Sequence, residues 1–268
     1  MSAYAIFGNP VSHSISPKLH ALFAEQFGMS INYQKQLVPL EQFKNTLDLF
    51  RTQGGLGANI TIPFKTQAFD YADQLTDRAK LTGAVNTFIF KNNVCMGDNT
   101  DGVGFIRDLK NNHQFEIANK NILIVGAGGA ARGILGEIIR EKPRGIGIFN
   151  RTVEKTEALI DFFRSDLLYV CEGECECDLI INATNANFQK EFLCNLNYNK
   201  AIYYDLNYGD RHRTFFEWAK KNGATHILDG LGMLVEQGAE SFFQWFGKRP
   251  ETKSVIQMLQ RMMMKIRQ

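Results

Sequence analysis

The stretch NILIVGAGGAARG, residues 121–133, decides how this chain folds. An apolar run, Ile122–Val125, leads without interruption into glycines. A short apolar run bounded by glycine reads as a buried strand. The glycines then open a helix. Gly126 permits a tight turn, and Gly128 lets the backbone come close to a diphosphate. Ala131 takes the small-residue place that lets the helix pack on the strand. Free backbone N–H groups at the helix start would hold the anion.

About twenty residues on, IGIF (146–149) reads as a second strand, and it ends in Asn150, Arg151 and Thr152. A site for NAD usually has an acid there, bonding the ribose 2′-hydroxyl. This chain offers Arg151, with Lys155 one helical turn later. A guanidinium can pair with a 2′-phosphate and stack on adenine. The expected cofactor is therefore NADP(H). The plainer reading of Arg151 and Lys155 is a solvated helix start.

The bulk numbers fit this picture. The chain has 268 residues, 44% hydrophobic and 22% charged, with a formal net charge of +2. That is the balance of an ordinary water-soluble protein of one large or two modest domains. Dispersed basic residues leave no nucleic-acid footprint. No apolar stretch is long enough to span a bilayer, and the start MSAYAIFG lacks the features of a signal peptide. A cytoplasmic location is the default expectation. The five cysteines, Cys95, Cys171, Cys175, Cys177 and Cys194, are expected as reduced thiols. The cluster at 171–177 resembles a metal tract. It has no nearby histidine and no second CxxC, so loop thiols on the surface are expected and no metal.

Working toward the N-terminus, short apolar runs alternate with amphipathic helices. Strands are expected at 4–8, 31–38 and 57–62, with a hairpin of 84–90 and 93–97 around Asn92. Helices are expected at 16–28, with Ser16 as N-cap, and at 40–52, with Leu40, Phe43, Leu47 and Phe50 on one face. Another helix starts at Pro63. Toward the C-terminus, strands are expected at 121–125, 145–149, 178–182, 201–205 and 225–228, with a helix at about 213–222. This alternation predicts a parallel, doubly wound sheet. Two closing helices cannot extend that sheet, so at least one should return to the first domain. The fold class is α/β in two domains: an N-terminal α/β substrate domain (1–101 plus 238–268) and a Rossmann-type doubly wound NADP-binding domain (102–237). A cleft between them is the expected site.

Three polar segments, NPVSHSISP (9–17), NITIPFK (59–65) and GDNTDG (97–102), each follow an expected strand. Ser14 and Ser16 stand at a helix mouth, where two hydroxyls could hold a substrate carboxylate or Ser16 could merely cap. Lys65 falls in the first turn of a helix, where the dipole opposes a cation. That suits a group which gives up and takes back a proton near neutral pH. Asp101 is its natural partner, or else an N-cap. Asn86 could bind a hydroxyl or complete a turn. Thr184 and Asn182 end one strand of the second domain; Asp205 and Tyr208 end the next. Gly230 and Gly232 could let a nicotinamide approach the backbone, and Gln237 could reach a substrate hydroxyl. Of the histidines, His13 alone lies near the presumed site. Met262, Met263 and Met264 read as core filler on a terminal helix.

These residues resemble the shikimate dehydrogenase family over essentially the whole chain. The resemblance rests on FGNPVSHSISPKLH, GANITIPFK, AVNT, GDNTDGVGF, GAGGAARG, NRT, LIINAT and DGLGMLVEQ, in that order. It implies reversible NADPH-dependent reduction of 3-dehydroshikimate to shikimate, a step of aromatic amino-acid biosynthesis. It implies Lys65 as acid/base with Asp101 beside it, and Ser14 and Ser16 on the substrate carboxylate. Thr61, Asn86, Asp101 and Gln237 would bind ring hydroxyls, with Tyr208 bordering the substrate. Gly126, Ala127, Gly128, Gly129 and Ala130 would cradle the pyrophosphate. Asn150, Arg151, Thr152 and Lys155 would surround the 2′-phosphate. Thr184, Leu206 and Gly230 would line the nicotinamide, and Asp77 is a further cofactor-side candidate. Lys155 stands where the family often has Arg, Asn185 where Ser or Pro is frequent, and Leu206 where Met is common. The expected partners are the small-molecule acid and the dinucleotide, with no nucleic acid or membrane; a homodimer stays open. Two rivals remain: a quinate/shikimate enzyme of relaxed cofactor use, and a non-catalytic dinucleotide sensor of the same fold.

Overall fold

Alternating strands and helices build two six-stranded sheets. The computed structural model describes residues 3–172, 176–184 and 201–266. By internal contacts it divides into two compact units: Met1–Phe105 with Leu234–Gln268, and Ile106–Met233.

In the first unit the elements are β1 (Tyr4–Gly8), α1 (Ser16–Glu25), β2 (Tyr33–Leu37), α2 (Phe43–Thr52) and β3 (Gly57–Ile60). Then come α3 (Lys65–Tyr71), β4 (Gln74–Leu75), α4 (Asp77–Thr82), β5 (Thr87–Lys91), β6 (Val94–Asp98) and α5 (Asp101–Arg107). The sheet order is β2-β1-β3-β5-β6-β4. β1 runs parallel to β2 and β3, while β5 is antiparallel to both β3 and β6. One row of the sheet therefore joins Asn59, Thr87 and Asp98. The ends of β1, β3 and β6 and the start of β5 all meet at that edge.

β1 is buried on both faces, as an interior parallel strand should be. β2 lies at the sheet edge and exposes Gln34, Lys35 and Gln36, which discourages further pairing. The β5–β6 hairpin turns at Asn92 and Asn93, both with positive φ, as expected. Phe7, Leu47, Phe64, Phe88 and Cys95 form the core under this sheet. Each such apolar side chain contributes about 1.5–3 kcal/mol on burial.

Two helix starts differ from the sequence expectation. α2 begins at Phe43, after a turn closed by the Gln42 N–H on Pro39 O, so Leu40 lies outside it and is 60% exposed. α3 begins at Lys65 rather than Pro63. The Phe64 N–H donates to Thr61 O, which keeps Thr61–Phe64 in a turn. β4 and α4 were not anticipated. α4 carries its own start signal, since the Thr76 hydroxyl accepts from the Ala79 N–H.

The second unit holds β7 (Asn121–Val125), α6 (Gly129–Arg140), β8 (Gly145–Phe149), α7 (Val153–Phe163), β9 (Leu168–Val170), β10 (Leu179–Asn182), β11 (Ile202–Asp205), α8 (Arg213–Lys221) and β12 (His226–Leu228). All pairings are parallel, in the order β12-β11-β10-β7-β8-β9. Renumbered within the unit, that is the 3-2-1-4-5-6 arrangement of dinucleotide-binding sheets. Its order reverses between β7 and β10, beside the glycine turn. The core of this unit gathers Leu123, Ile180, Tyr203, Phe215 and Trp218.

Cys171 departs from the expected surface loop: it is 5% exposed and packs in that core, with Cys177 against it. The cluster around it is apolar, with Leu123, Ile180, Tyr203 and Trp218, so a small thiol serves there as a hydrophobe. Cys175 and Cys194 lie outside the described residues.

Two helices close the chain, α9 (Leu231–Phe246) and α10 (Lys253–Ile266). From Leu234 onward they belong to the first unit. Met262 is 38% exposed and Met263 half-buried on α10, so neither is core filler; the Met264 side chain lies outside the described residues. Among the described residues, no helix is long and apolar enough to cross a membrane.

Candidate active site

The polar edge of the first sheet is a continuous hydrogen-bonded cluster. Lys65 Nζ donates to Asp101 Oδ2 at 2.5 Å. Asp101 Oδ1 accepts from Asn86 Nδ2 at 2.8 Å. The Asp101 side chain is thus spent on Lys65 and Asn86, not on capping α5. Lys65 keeps 21% of its side chain exposed, while its partner keeps 10%.

Asn86 is 3% exposed and is more than a turn residue. Its Nδ2 also donates to Thr100 Oγ1 and to Gln237 Oε1, and its Oδ1 accepts from the Thr100 N–H. The backbone brings these groups together: Val85 N–H bonds Lys65 O, Asn86 N–H bonds Asp98 O, and Ile60 N–H bonds Asn86 O.

α9 supplies one wall through a stripe spaced by four residues. Gln237 meets Asn86 and Thr100; Ser241 meets Asn59 and Thr87; Trp245 Nε1 donates to Phe88 O. Beneath the turn before α5, Arg78 holds Asp98 with Nε and Nη2 and reaches Glu240 with Nη1. Asp98 is fully buried, so this two-point pairing satisfies a charge that water cannot. Arg78 therefore fixes the strand end three residues before Asp101 to the helix that carries Gln237.

At the far end of the cluster, Ser14 Oγ donates to Ser16 Oγ at 3.1 Å and accepts from the Ser16 N–H. Ser16 is the first residue of α1, not its N-cap, and no side-chain cap is made there. Both serines are nearly buried. Thr61 follows β3, half-buried, with its N–H on Phe7 O. Asp77 lies apart from the cluster, with a 90% exposed side chain in the first turn of α4.

In the second unit Gly126 has φ +108, a conformation that L side chains rarely adopt. Its N–H bonds Phe149 O, and the Ala127 N–H bonds Asn150 Oδ1, tying the glycine turn to the end of β8. Asn150 Nδ2 in turn donates to Thr152 O. α6 starts with no side-chain cap and no acid in its first turn. A methyl group added at Gly128 or Gly129 would meet open space. Gly128, Gly129 and Ala130 are exposed while Ala131 is fully buried. Uncapped N–H groups facing open room fit a diphosphate. Arg151 and Lys155 are exposed and pair with no acid among the described residues, which suits a 2′-phosphate.

Beside that turn, β10 and β11 end in a second network. Thr184 N–H and Oγ1 both donate to Asn182 Oδ1, and Asn182 Nδ2 donates to Asp205 Oδ1. Asn207 adds its N–H and Nδ2 to Asp205 Oδ1, and Nδ2 also reaches Thr184 O. Leu206 and Tyr208 follow, half-buried.

The glycines further on have another reason. A methyl group on Gly230 would lie 2.2 Å from Leu206 O, and one on Gly232 would lie 1.9 Å from Asp108 Oδ1. Close packing against the chain itself therefore already requires glycine at both positions. Sequence reading also missed Tyr33, Asn59, Thr87, Thr100 and Ser241 as members of the first cluster. Asn59 and Thr100 fall within the polar segments 59–65 and 97–102, whereas Tyr33, Thr87 and Ser241 carry no local signal, because strand register and helix packing alone bring them to the cluster. His20, which the sequence reading left out, adjoins the cluster. It is 1% exposed and stacks on Tyr33 at 4.6 Å. Asn185, one of the departures from the family pattern, lies outside the described residues.

The strand order and glycine turn define a dinucleotide-binding class of fold joined to a separate α/β unit. Comparison with known proteins narrows this. Residues 6–88 match the family described as shikimate dehydrogenase substrate binding domain, residues 109–193 the shikimate / quinate 5-dehydrogenase family, and residues 230–260 the shikimate 5'-dehydrogenase C-terminal domain. The shikimate dehydrogenase (NADP(+)) of Nitrosomonas europaea is 46% identical over 97% of this chain and 97% of that protein. That of Marinobacter nauticus is 43% identical over 96% of this chain and 97% of its own length. The crystal structure of shikimate 5-dehydrogenase from Thermus thermophilus in complex with NADP(H) and shikimate superposes with a TM-score of 0.84 at 29% identity. It covers 97% of this chain and 99% of that one. The chain belongs to the shikimate dehydrogenase family.

Asp205 gives the second network a testable consequence. Burial, the largest cause, raises its carboxyl to about 7, and its Oδ2 has no hydrogen-bond partner. The proton that Asp205 keeps when folded stabilises the fold fully below the ordinary carboxylate range. That contribution is lost as pH rises through about 7. Asp205→Asn keeps the Oδ1 acceptor and removes the titration. Urea unfolding of the variant between pH 5 and pH 8 should lack a decline of roughly 2 kcal/mol seen in the parent. Equal slopes would contradict a protonated Asp205.

Proposed function

We propose that the chain catalyses the reversible reduction of 3-dehydroshikimate to shikimate with NADPH. The observation that carries this reading is the Lys65–Asp101 pair, set in one hydrogen-bonded cluster with Asn86 and Gln237. A half-buried amine held by a largely buried carboxylate is a proton donor with a fixed position. The cluster around it is suited to a polyhydroxylated ring.

In this reading the first unit, Met1–Phe105 with Leu234–Gln268, binds the acid, and the second, Ile106–Met233, binds the dinucleotide. Ser14 and Ser16 hold the substrate carboxylate through their hydroxyls and the N-terminus of α1. Thr61, Asn86, Asp101 and Gln237 hold ring hydroxyls, and Tyr208 borders the ring. The backbone of Gly126–Ala130 holds the pyrophosphate. Asn150, Arg151, Thr152 and Lys155 hold the 2′-phosphate, with Asp77 a lesser contact. Thr184, Leu206 and Gly230 line the nicotinamide.

Bound NADPH supplies the hydride that reduces the C3 carbonyl. Lys65 stabilises the negative charge that builds on the carbonyl oxygen, then gives that oxygen a proton. Asp101 keeps the Lys65 nitrogen aimed. Water restores the proton to Lys65, and the oxidation direction uses the same groups in reverse. The protein works in the cytoplasm on small molecules, with no nucleic-acid or membrane partner.

The decisive assay pairs shikimate and quinate with NADP+ and NAD+ on the purified protein. Shikimate with NADP+ should be turned over best. Turnover that favours quinate or NAD+ would replace this reading with the relaxed quinate/shikimate enzyme, and no turnover would leave a dinucleotide sensor. Lys65→Ala should lower kcat at least about a hundredfold and move the shikimate KM far less. Near-normal kcat would remove Lys65 from the reaction. Arg151→Ala should raise the KM for NADPH about tenfold while the KM for NADH stays nearly unchanged. Equal losses with the two cofactors would undo the 2′-phosphate assignment.

A further inference from the structure

From Tyr33 to the Lys65–Asp101 pair runs a hydrogen-bonded line of buried polar side chains, with the serines at its Tyr33 end. The Ser16 hydroxyl interacts with the Tyr33 phenol. Tyr33 OH donates to Asn59 Oδ1 at 2.8 Å, and Asn59 Nδ2 donates to Thr87 Oγ1 at 3.1 Å. Thr87 Oγ1 donates to Asn86 Oδ1 at 2.9 Å, and Asn86 Nδ2 donates to Asp101. Tyr33 is 8% exposed, Asn59 6% and Thr87 0%. They sit on three strands, β2, β3 and β5, with Asn59 and Thr87 directly opposite in register. Ser241 on α9 closes the line from above, bonding both Asn59 and Thr87.

Stability alone does not call for such a line. A buried polar group must find partners merely to recover its desolvation cost, and an apolar row of the same shape would be at least as stable. What a fully bonded polar line adds is fixed geometry, because each member has one arrangement that satisfies its neighbours. The Tyr33 ring is itself held in place, stacked on His20, which Trp245 also contacts. Burial pushes His20 down to about 3, so that platform stays uncharged. Burial likewise raises the Tyr33 phenol well above its ordinary range, keeping its proton available to Asn59.

We propose that Tyr33 and Thr87 are positioning residues that hold the carboxylate-binding serines and the Lys65–Asp101 pair in fixed register through Asn59. The inference rests on the reading of the site given above. Neither residue need touch substrate. Tyr33 acts on the serine end, and Thr87 acts on the Asn86–Asp101 end.

The two ends separate in kinetics. Tyr33→Phe keeps the stacked ring and loses the phenol oxygen; Thr87→Val keeps the shape and loses the hydroxyl. Each would be assayed with shikimate and with its methyl ester, NADP+ saturating, alongside thermal unfolding. Tyr33→Phe should lower kcat/KM for shikimate about tenfold, mainly through KM, and should affect the neutral ester much less. Thr87→Val should lower kcat about tenfold with the shikimate KM changed by less than about threefold. The KM for NADP+ should not move in either. With an active parent, a Tyr33→Phe variant that treats acid and ester alike overturns the inference, as does a Thr87→Val variant with normal kcat. Should Tyr33→Phe fail to fold, Thr87→Val decides. A parent with no shikimate-dependent reduction of NADP+ overturns the reading of the site as well, and is told apart from failure of the inference alone.

Discussion

A carboxylate can be buried beside an ammonium at a sheet edge only if its oxygens are engaged. Asp101 meets that condition through Lys65 on one oxygen and Asn86 on the other. Much of the first unit follows from keeping it so. Asn86 must precede β5 with its amide turned toward α5, which the Thr100 N–H enforces by bonding its oxygen. The turn before Asp101 must not wander, and the Arg78–Asp98–Glu240 pairing pins it. Removing one partner of such a buried pairing typically costs about 3–5 kcal/mol. Charge satisfaction and site geometry are therefore one constraint.

The second unit answers a different demand. A dinucleotide needs a helix start with free N–H groups, a turn without side chains and a neighbouring strand that ends in the right charge. β7, the glycine turn and α6 have the first two, and β8 ends beside that turn in Asn150, Arg151 and Thr152. The Asn182–Thr184–Asp205–Asn207 network then stiffens the adjacent strand ends. Asp205 achieves this as a neutral acid, so the network holds no unpaired buried charge over most of the range below neutrality.

What was legible in the sequence depended on how local its cause was. β7 and β8 came out with their boundaries because a short apolar run stopped by glycine or asparagine is a local signal. The glycine turn and the Lys65–Asp101 partnership were readable for the same reason: each residue type was wrong for its local surroundings unless it served a special role. The start of α3 was misplaced because a turn hydrogen bond, from Phe64 N–H to Thr61 O, delays the helix past Pro63. Cys171 looked like a loop thiol because its apolar neighbours arrive from β10, β11 and α8, far along the chain. The line from Tyr33 to Thr87 was invisible for that reason too. Its members are small polar residues of ordinary kind, and only the β1–β2, β1–β3 and β3–β5 registers bring them together.

The central claim is that Lys65, steered by Asp101, delivers the proton to the oxygen that gains the hydride. A crystal structure of the protein with shikimate and NADP+ bound tests it most directly, through the distance from Lys65 Nζ to the C3 hydroxyl oxygen. The account predicts hydrogen-bonding distance, about 2.6–3.2 Å, with the Asp101 contact kept. A Lys65 nitrogen turned away from that oxygen, with no water bridging them and another acid in its place, would contradict it.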